Sequence, residues 1–219
     1  MRQTNIFLTV VTVIGLVALV SCRKDKPVTS EFNEVTTSKD GVVFSVDTLD
    51  SRVEWVGYKI FKSNNTSHFG NIKLESGEVS LKDGKLESGN FVVSMNTITA
   101  DDLKNNVEKQ AKLDAHLKSA DFFDVKKFPT ASFEITKVIV NDTGDYNTRL
   151  EGNLTIKGIT KPISLDTNVR EKDGLLTIKS NKKDINRRDF GVDFTSPVAK
   201  GIIKDEISIQ VNVKALEKK

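Results

Sequence analysis

The sequence has few of the groups that carry most protein chemistry. Among 219 residues there is one cysteine, Cys22, so no disulfide can close within the chain. The two histidines, His68 and His116, are the only other soft metal ligands, and no ligand spacing joins them. There is no Gly-x-Ser-x-Gly elbow and no Cys-x-x-Cys. The nearest approach to a phosphate loop is Gly-Lys-Leu-Glu-Ser-Gly at 84–89. Asn90 and Phe91 follow it where such a loop needs Lys and a hydroxyl, so it reads as a hairpin turn. Asp101-Asp102 is explained by a helix N-terminus, where negative charge is favourable. With no nucleophile or metal motif, neither catalysis nor a cofactor or metal is expected. Excess charge is missing too. The net charge is +3, and +2 once Arg2, the one charge in residues 1–21, is set aside. No basic stripe interleaves with aromatics, so nucleic acid is not an expected partner. No repeat of 20 to 50 residues stands out, which disfavours a propeller or solenoid.

The one long apolar run, residues 6–20, is short for a membrane span. With Arg2 ahead of it, residues 1–21 read as an export signal rather than as fold. The run ends in Leu19-Val20-Ser21-Cys22, which resembles the lipobox of bacterial lipoproteins. The resemblance implies cleavage before Cys22 and acylation of its thiol, hence membrane attachment through Cys22. One acyl chain gives K of roughly 10⁴ M⁻¹, so firm anchoring takes more than one. Residues 22–40 are polar, without apolar periodicity, and read as a tether. Arg23 stands where some sorting systems read Asp as a retention signal. The expected location is therefore the cell envelope, lipid-anchored at an outer membrane, facing periplasm or cell surface.

From residue 41 to 219 the text changes to strands. Val42-Val43-Phe44-Ser45-Val46 and Val53-Glu54-Trp55-Val56-Gly57-Tyr58 flank an Asp50-Ser51 turn. Residues 62–67 read as a polar loop. Ile72 and Leu74 share one parity and Val79 and Leu81 the other. Faces alternate strictly along a strand, so Ser76-Gly77 needs a bulge. A second switch lies between Ile135 and Val138. Residues 141–144 (Asn-Asp-Thr-Gly) are a turn. Ile207, Ile209, Val211 and Val213 alternate with Ser208, Gln210 and Asn212, which puts the first set inside a barrel and the second toward water. One helix is expected, capped at Thr99 and ending near Ser119, with Leu103, Val107, Ala111, Leu113 and Leu117 on its apolar side. The sum is an all-β fold, an antiparallel barrel or sandwich of about eight strands with one helix packed at an end. Such a barrel either fills with side chains or holds a small ligand.

Residues 114–134 join the helix to the next strand. Pro129 forbids further helix, and Phe122, Phe123 and Phe128 are too apolar for a free loop, so this connection should be pinned to a core. His-Leu-Lys-Ser-Ala-Asp-Phe-Phe-Asp-Val at 116–125 and Phe-Pro-Thr-Ala-Ser-Phe at 128–133 closely resemble the YceI-like family of lipid-binding proteins. Further matching segments are Trp-Val-Gly-Tyr-Lys at 55–59, Ser-His-Phe-Gly at 67–70, the Gly-Asn-Leu-Thr-Ile run at 152–156 and Arg-Asp-Phe-Gly at 188–191. The resemblance implies a lipocalin-like β-barrel enclosing a long apolar ligand, an isoprenoid-type lipid such as a polyprenyl or quinone-like chain. The protein would then be a carrier or sequestering protein. The alternative is a ligand-free envelope interaction module. By resemblance the ligand-site candidates are Trp55, His68, Phe69, His116, Phe122, Phe123, Arg187, Arg188 and Phe190. The strand pattern adds Ile209 and Val211. The aromatics serve equally well as core. Arg187 and Arg188, adjacent on a strand, would point to opposite faces. The oligomeric state is open, a homodimer included.

Overall fold

The computed structural model describes residues 41–61, 64–141, 143–196 and 201–219. The signal, the tether and Cys22 lie outside the described residues.

Among the described residues, eleven strands and one α-helix follow in chain order. They are β1 Val42–Val46, β2 Arg52–Phe61, β3 Asn64–Lys82, β4 Lys85–Ser94, β5 Thr99–Ala100, α1 Val107–Lys118, β6 Thr130–Val140, β7 Thr148–Ile156, β8 Ile159–Lys172, β9 Leu175–Ser180, β10 Lys183–Asn186 and β11 Gly201–Glu217. The ring runs β11-β2-β3-β4-β6-β7-β8-β9, and β9 pairs back to β11, all antiparallel. That closes an eight-strand barrel and removes its edges. The three remaining strands extend existing staves. β1 continues β2 between β11 and β3, β10 continues β9 along β11, and β5 continues β4 along β3.

Local chemistry sets the connections. The β3–β4, β7–β8 and β8–β9 hairpins turn on Asp83-Gly84, Lys157-Gly158 and Asp173-Gly174, with φ positive at both residues of each pair. These two-residue turns match the right-handed twist of the strands they join. The expected hairpin at 84–89 is therefore tighter than its text suggested: Gly89 already lies in β4, opposite Val79. The 62–67 loop is shorter as well, because Asn64 to Ser67 pair with β2 from Phe61 to Tyr58. Both parity switches are register shifts, between Leu74 and Ser76 in β3 and between Ile135 and Lys137 in β6.

The helix begins later than its text suggested. Thr99 and Ala100 form β5 against Gly70 and Asn71, and Asp101–Leu103 is a 3-10 turn. Asn106 is the true cap; its side chain accepts from Lys109 N at 3.1 Å. The two aspartates hold β3 instead of a helix end. Asp101 Oδ2 accepts from Asn71 Nδ2 at 2.7 Å, and Asp102 Oδ1 accepts from Phe69 N at 3.0 Å. The apolar stripe is correspondingly narrow: Val107 and Ala111 are exposed, Leu113 is half-buried and Leu117 buried.

Two apolar clusters line the barrel interior. The larger joins Phe44, Val79, Leu81, Leu86, Ile135, Leu176 and Ala215 toward the end that carries β1. The smaller lies under α1 and joins Ile72, Met95, Ile98, Leu117, Val125 and Ala131, with Trp55, Phe122 and Phe123 packed against it. The 119–129 connection is a compact turn rather than a loose loop. Phe123 N donates to Leu117 O at 3.1 Å, Val125 N to Lys118 O at 3.0 Å and Phe128 N to Asp124 O at 2.8 Å. Val125 is its buried anchor, while Phe122, Phe123 and Phe128 are half-buried.

Candidate ligand-binding cavity

Inward parity delivers the lining. Val53 and Trp55 of β2, Ile72 and Leu74 of β3, Phe91 and Val93 of β4, and Ile207, Ile209, Val211 and Val213 of β11 all border one internal cavity. Leu117, Phe122 and Phe123 cover it from the helix end. Phe44, Val79, Leu81, Leu86 and Ile135 do not touch it, so the barrel is solid at the β1 end and hollow at the helix end. Among the lining side chains only those of Trp55, Ser132, Thr167 and Arg187 bear polar atoms. The cavity volume is about 160 Å³. A protein cavity of roughly 150 Å³ takes one benzene ring. A longer guest therefore needs the lining to part, and the half-buried Phe122 and Phe123 are the side chains at the lid.

Two polar features stand in this apolar surface. Trp55 Nε1 is buried and has no hydrogen-bond partner. Arg187 is 3% exposed and sits on a 3-10 turn, Arg187–Phe190, closed by Gly191 at φ 67°. It donates through Nε to Lys204 O at 3.2 Å, through Nη1 to Val192 O, and through Nη2 to Asp205 Oδ1 at 2.9 Å. Arg188, exposed, reaches the same carboxylate oxygen through Nε at 2.7 Å, and its Nη1 lies 3.8 Å from Asp193. The two arginines thus do not point to opposite faces of a strand: the turn lets both converge on Asp205. Burial lowers the pKa of the Arg187 guanidinium, with Asp205 opposing that effect. The hydrogen bond from Arg188 lowers that of Asp205.

Of the sequence candidates, Trp55, Phe122, Phe123, Arg187, Ile209 and Val211 border the cavity. The others lie elsewhere. His68 Nδ1 is 2.8 Å from Asp102 Oδ2, and Phe69 beside it is half exposed. Together they tie β3 to the 3-10 turn before α1. The His116 ring stands edge-on to Phe122 and Phe194, at 4.9 and 4.8 Å between centroids, with Nε2 3.1 Å from Asp121. It joins α1 to the segment after Gly191 outside the cavity. Phe190 is buried in the larger core cluster. On the outer face of β11 the expected contact with water fails at Ser208. It is buried, donates to Asp184, and lies 3.2 Å from Tyr58 Oη. Val192, Ile203 and Asp205 went unnoticed in the sequence. Only the hydrophobic alternation before Ile207 could have pointed to Ile203, and a register shift between the two breaks it.

A closed antiparallel barrel with a helix at one end and an apolar interior defines a lipocalin-like β-barrel. This chain belongs to the YceI-like domain family, whose profile matches residues 44–215. It is 34% identical over 109 residues to a UPF0312 protein of Ectopseudomonas mendocina, covering 50% of this chain and 53% of that one. It is 31% identical over 118 residues to UPF0312 proteins of Vibrio cholerae, covering 54% of each chain. The chain thus spans about half the length of the curated relatives it matches. Among solved structures it resembles BcnA of Burkholderia cenocepacia, with TM-score 0.59 and 21% identity over 77% of this chain and 98% of that one. It also resembles a polyisoprenoid binding domain from Saccharophagus degradans, with TM-score 0.53 and 10% identity over 81% of this chain and 99% of that one. These likenesses establish the fold.

Proposed function

We propose that this protein holds a long apolar chain of isoprenoid type inside its barrel and acts as a carrier or sequestering protein, without chemistry of its own. The observation that carries the reading is the cavity itself, bordered by Trp55, Phe123, Ile209, Val211 and other apolar side chains. Apolar surface left lining a hollow is stabilised when an apolar guest removes it from water, at roughly 25 cal/mol per Å². The polyisoprenoid binding domain with the same fold supports the choice of guest. The lipobox-like Leu19 to Cys22 supports acylation of Cys22 and an envelope location. The small volume of the cavity favours a second reading, an unliganded interaction module, for a barrel whose lining does not part. Organic extraction of the purified full chain decides between them. A stoichiometric apolar compound is expected. Extracts without one, together with no uptake of added polyprenol, would leave the interaction module. In parallel, Cys22→Ala should move the protein out of the membrane fraction.

A further inference from the structure

We propose that an apolar guest passes through the barrel wall between β8 and β10, displacing Ile163 and Ile185, rather than past the helix at the end. This rests on the cavity reading above and specifies the route into the cavity.

The ring closes through β9, but its backbone is not laced along the whole height. β8 pairs with β9 only from Thr167 to Lys172. Before that, residues 159–166 have β7 on one side. On the other side stands β10, which pairs with β11 alone. Asn181 N donates to Asp166 O at 2.8 Å and closes one end of this seam. Lys157 Nζ donates to Gly191 O at 2.7 Å and closes the other. Backbone groups alternate sides along an antiparallel strand. Thr160, Pro162 and Ser164 therefore present theirs to the seam, as Asp166 does, and among the described residues β10 pairs with none of them. Pro162 has no N–H to offer there, as suits an edge that stays open.

The seam also separates two hollows. A groove of about 440 Å³ lies over it on the solvent side, bordered by the exposed Lys161, Pro162, Asp184 and Asn186. Ile163, half-buried, and Ile185, buried, border both that groove and the internal cavity. These two side chains are the partition.

The helix end, by contrast, is tied down. Ala100 N donates to Asp114 Oδ1 at 2.8 Å, Gln110 Nε2 to Ala100 O at 3.0 Å and Met95 N to Pro129 O at 2.9 Å. A guest entering there, or between laced strands, has to break bonds of this kind. Moving Ile163 and Ile185 gives up apolar packing alone, which the apolar surface of the guest replaces.

The test follows uptake and release of retinol, a fluorescent C20 isoprenoid alcohol, by the full chain in stopped flow. Ile163→Ala and Ile185→Ala widen the gate, and each should speed uptake and release together by about 10-fold. Phe123→Ala at the helix-end lid should speed them less. Leu81→Ala, at the packed end away from the cavity, controls for lost stability and should leave both rates as in wild type. Acceleration at Phe123 that equals or exceeds that at the isoleucines assigns passage to the helix end and overturns the inference, while the cavity reading stands. So does an equal acceleration by Leu81→Ala, which would mean general loosening. Hydrogen exchange gives a readout on the unaltered chain. The amides of Thr160 and Ser164 should exchange about 10-fold faster, or more, than those of Ile163 and Leu165, which face β7. Equal protection of the two sets would mean a laced wall and would also overturn the inference. Retinol that binds neither wild type nor variants overturns the cavity reading and this inference with it.

Discussion

Arg187 and Asp205 lie eighteen positions apart, yet Nη2 of the one stands 2.9 Å from Oδ1 of the other, joining the 3-10 turn after β10 to β11. The same guanidinium holds Lys204 O and Val192 O, so one buried side chain ties the segment after the turn to two neighbouring residues of β11. Arg188 joins the same carboxylate from the solvent side.

The two arginines should therefore differ in weight. Arg187→Met leaves two backbone carbonyls without their donor in a buried site and should destabilise the domain by about 1–3 kcal/mol. Arg188→Met removes an exposed pairing and should cost about 1 kcal/mol or less. Urea denaturation of both variants measures the difference; equal losses would mean that Arg187 is not the anchor.

Asp205 gives the pair a pH signature. Its folded pKa is lowered, first by the hydrogen bond from Arg188. A carboxylate with a depressed folded pKa contributes stability above its unfolded value, about 3.9, and that contribution is lost as pH falls through the folded value. Wild type should lose stability below about pH 4 more steeply than Asp205→Asn, and the two should run parallel above about pH 5. Thermal melts from pH 2 to 7 provide the comparison, and parallel curves throughout would contradict the assignment.

The strands could be read because alternation with period two needs only the sequence of each strand. The shifts at Leu74/Ser76 and Ile135/Lys137 followed from the same rule. The helix start could not be read, since Asp101 and Asp102 look like capping residues until β3 claims their carboxylates through Asn71 and Phe69. Arg187 and Arg188 were misread for a similar reason. Four residues of extended-looking text turn on a 3-10 helix that Gly191 closes in the left-handed region. Alternation also tells which side chains point inward, but not whether they meet. Val79 and Leu81 meet others and fill one end; Ile209 and Val211 border a hollow at the other.

Glycine positions separate close packing from free space. A Cβ on Gly152 would lie 2.5 Å from Glu134 O and 2.5 Å from Phe133 Cζ, whereas one on Gly57 would meet only Trp55 Cζ3, at 3.9 Å. Gly152→Ala should thus cost about 1–3 kcal/mol through overpacking. Gly57→Ala should stay within about 0.5 kcal/mol of wild type. Chemical denaturation decides; tolerance at Gly152 would mean that β6 and β7 are less tightly apposed than they stand here.

The lumen itself is tested at Val211. It borders the cavity from β11, opposite Val53 in the register with β2. An indole placed there enters space that a guest chain would need. In a hollow barrel Val211→Trp has room, so the domain should keep its fold and thermal stability while the co-purifying apolar mass falls sharply. In a barrel whose inward side chains close the space, the same change is overpacking and costs about 1–3 kcal/mol, with no guest to lose. Thermal melting paired with native mass spectrometry on wild type and variant separates the cases. A destabilised variant beside a wild type that carries no ligand and accepts no added polyprenol would defeat the carrier reading. The packed end supplies the control. Val79, fully buried and away from the cavity, should tolerate no such enlargement, so Val79→Trp should unfold the domain whether or not a guest is bound.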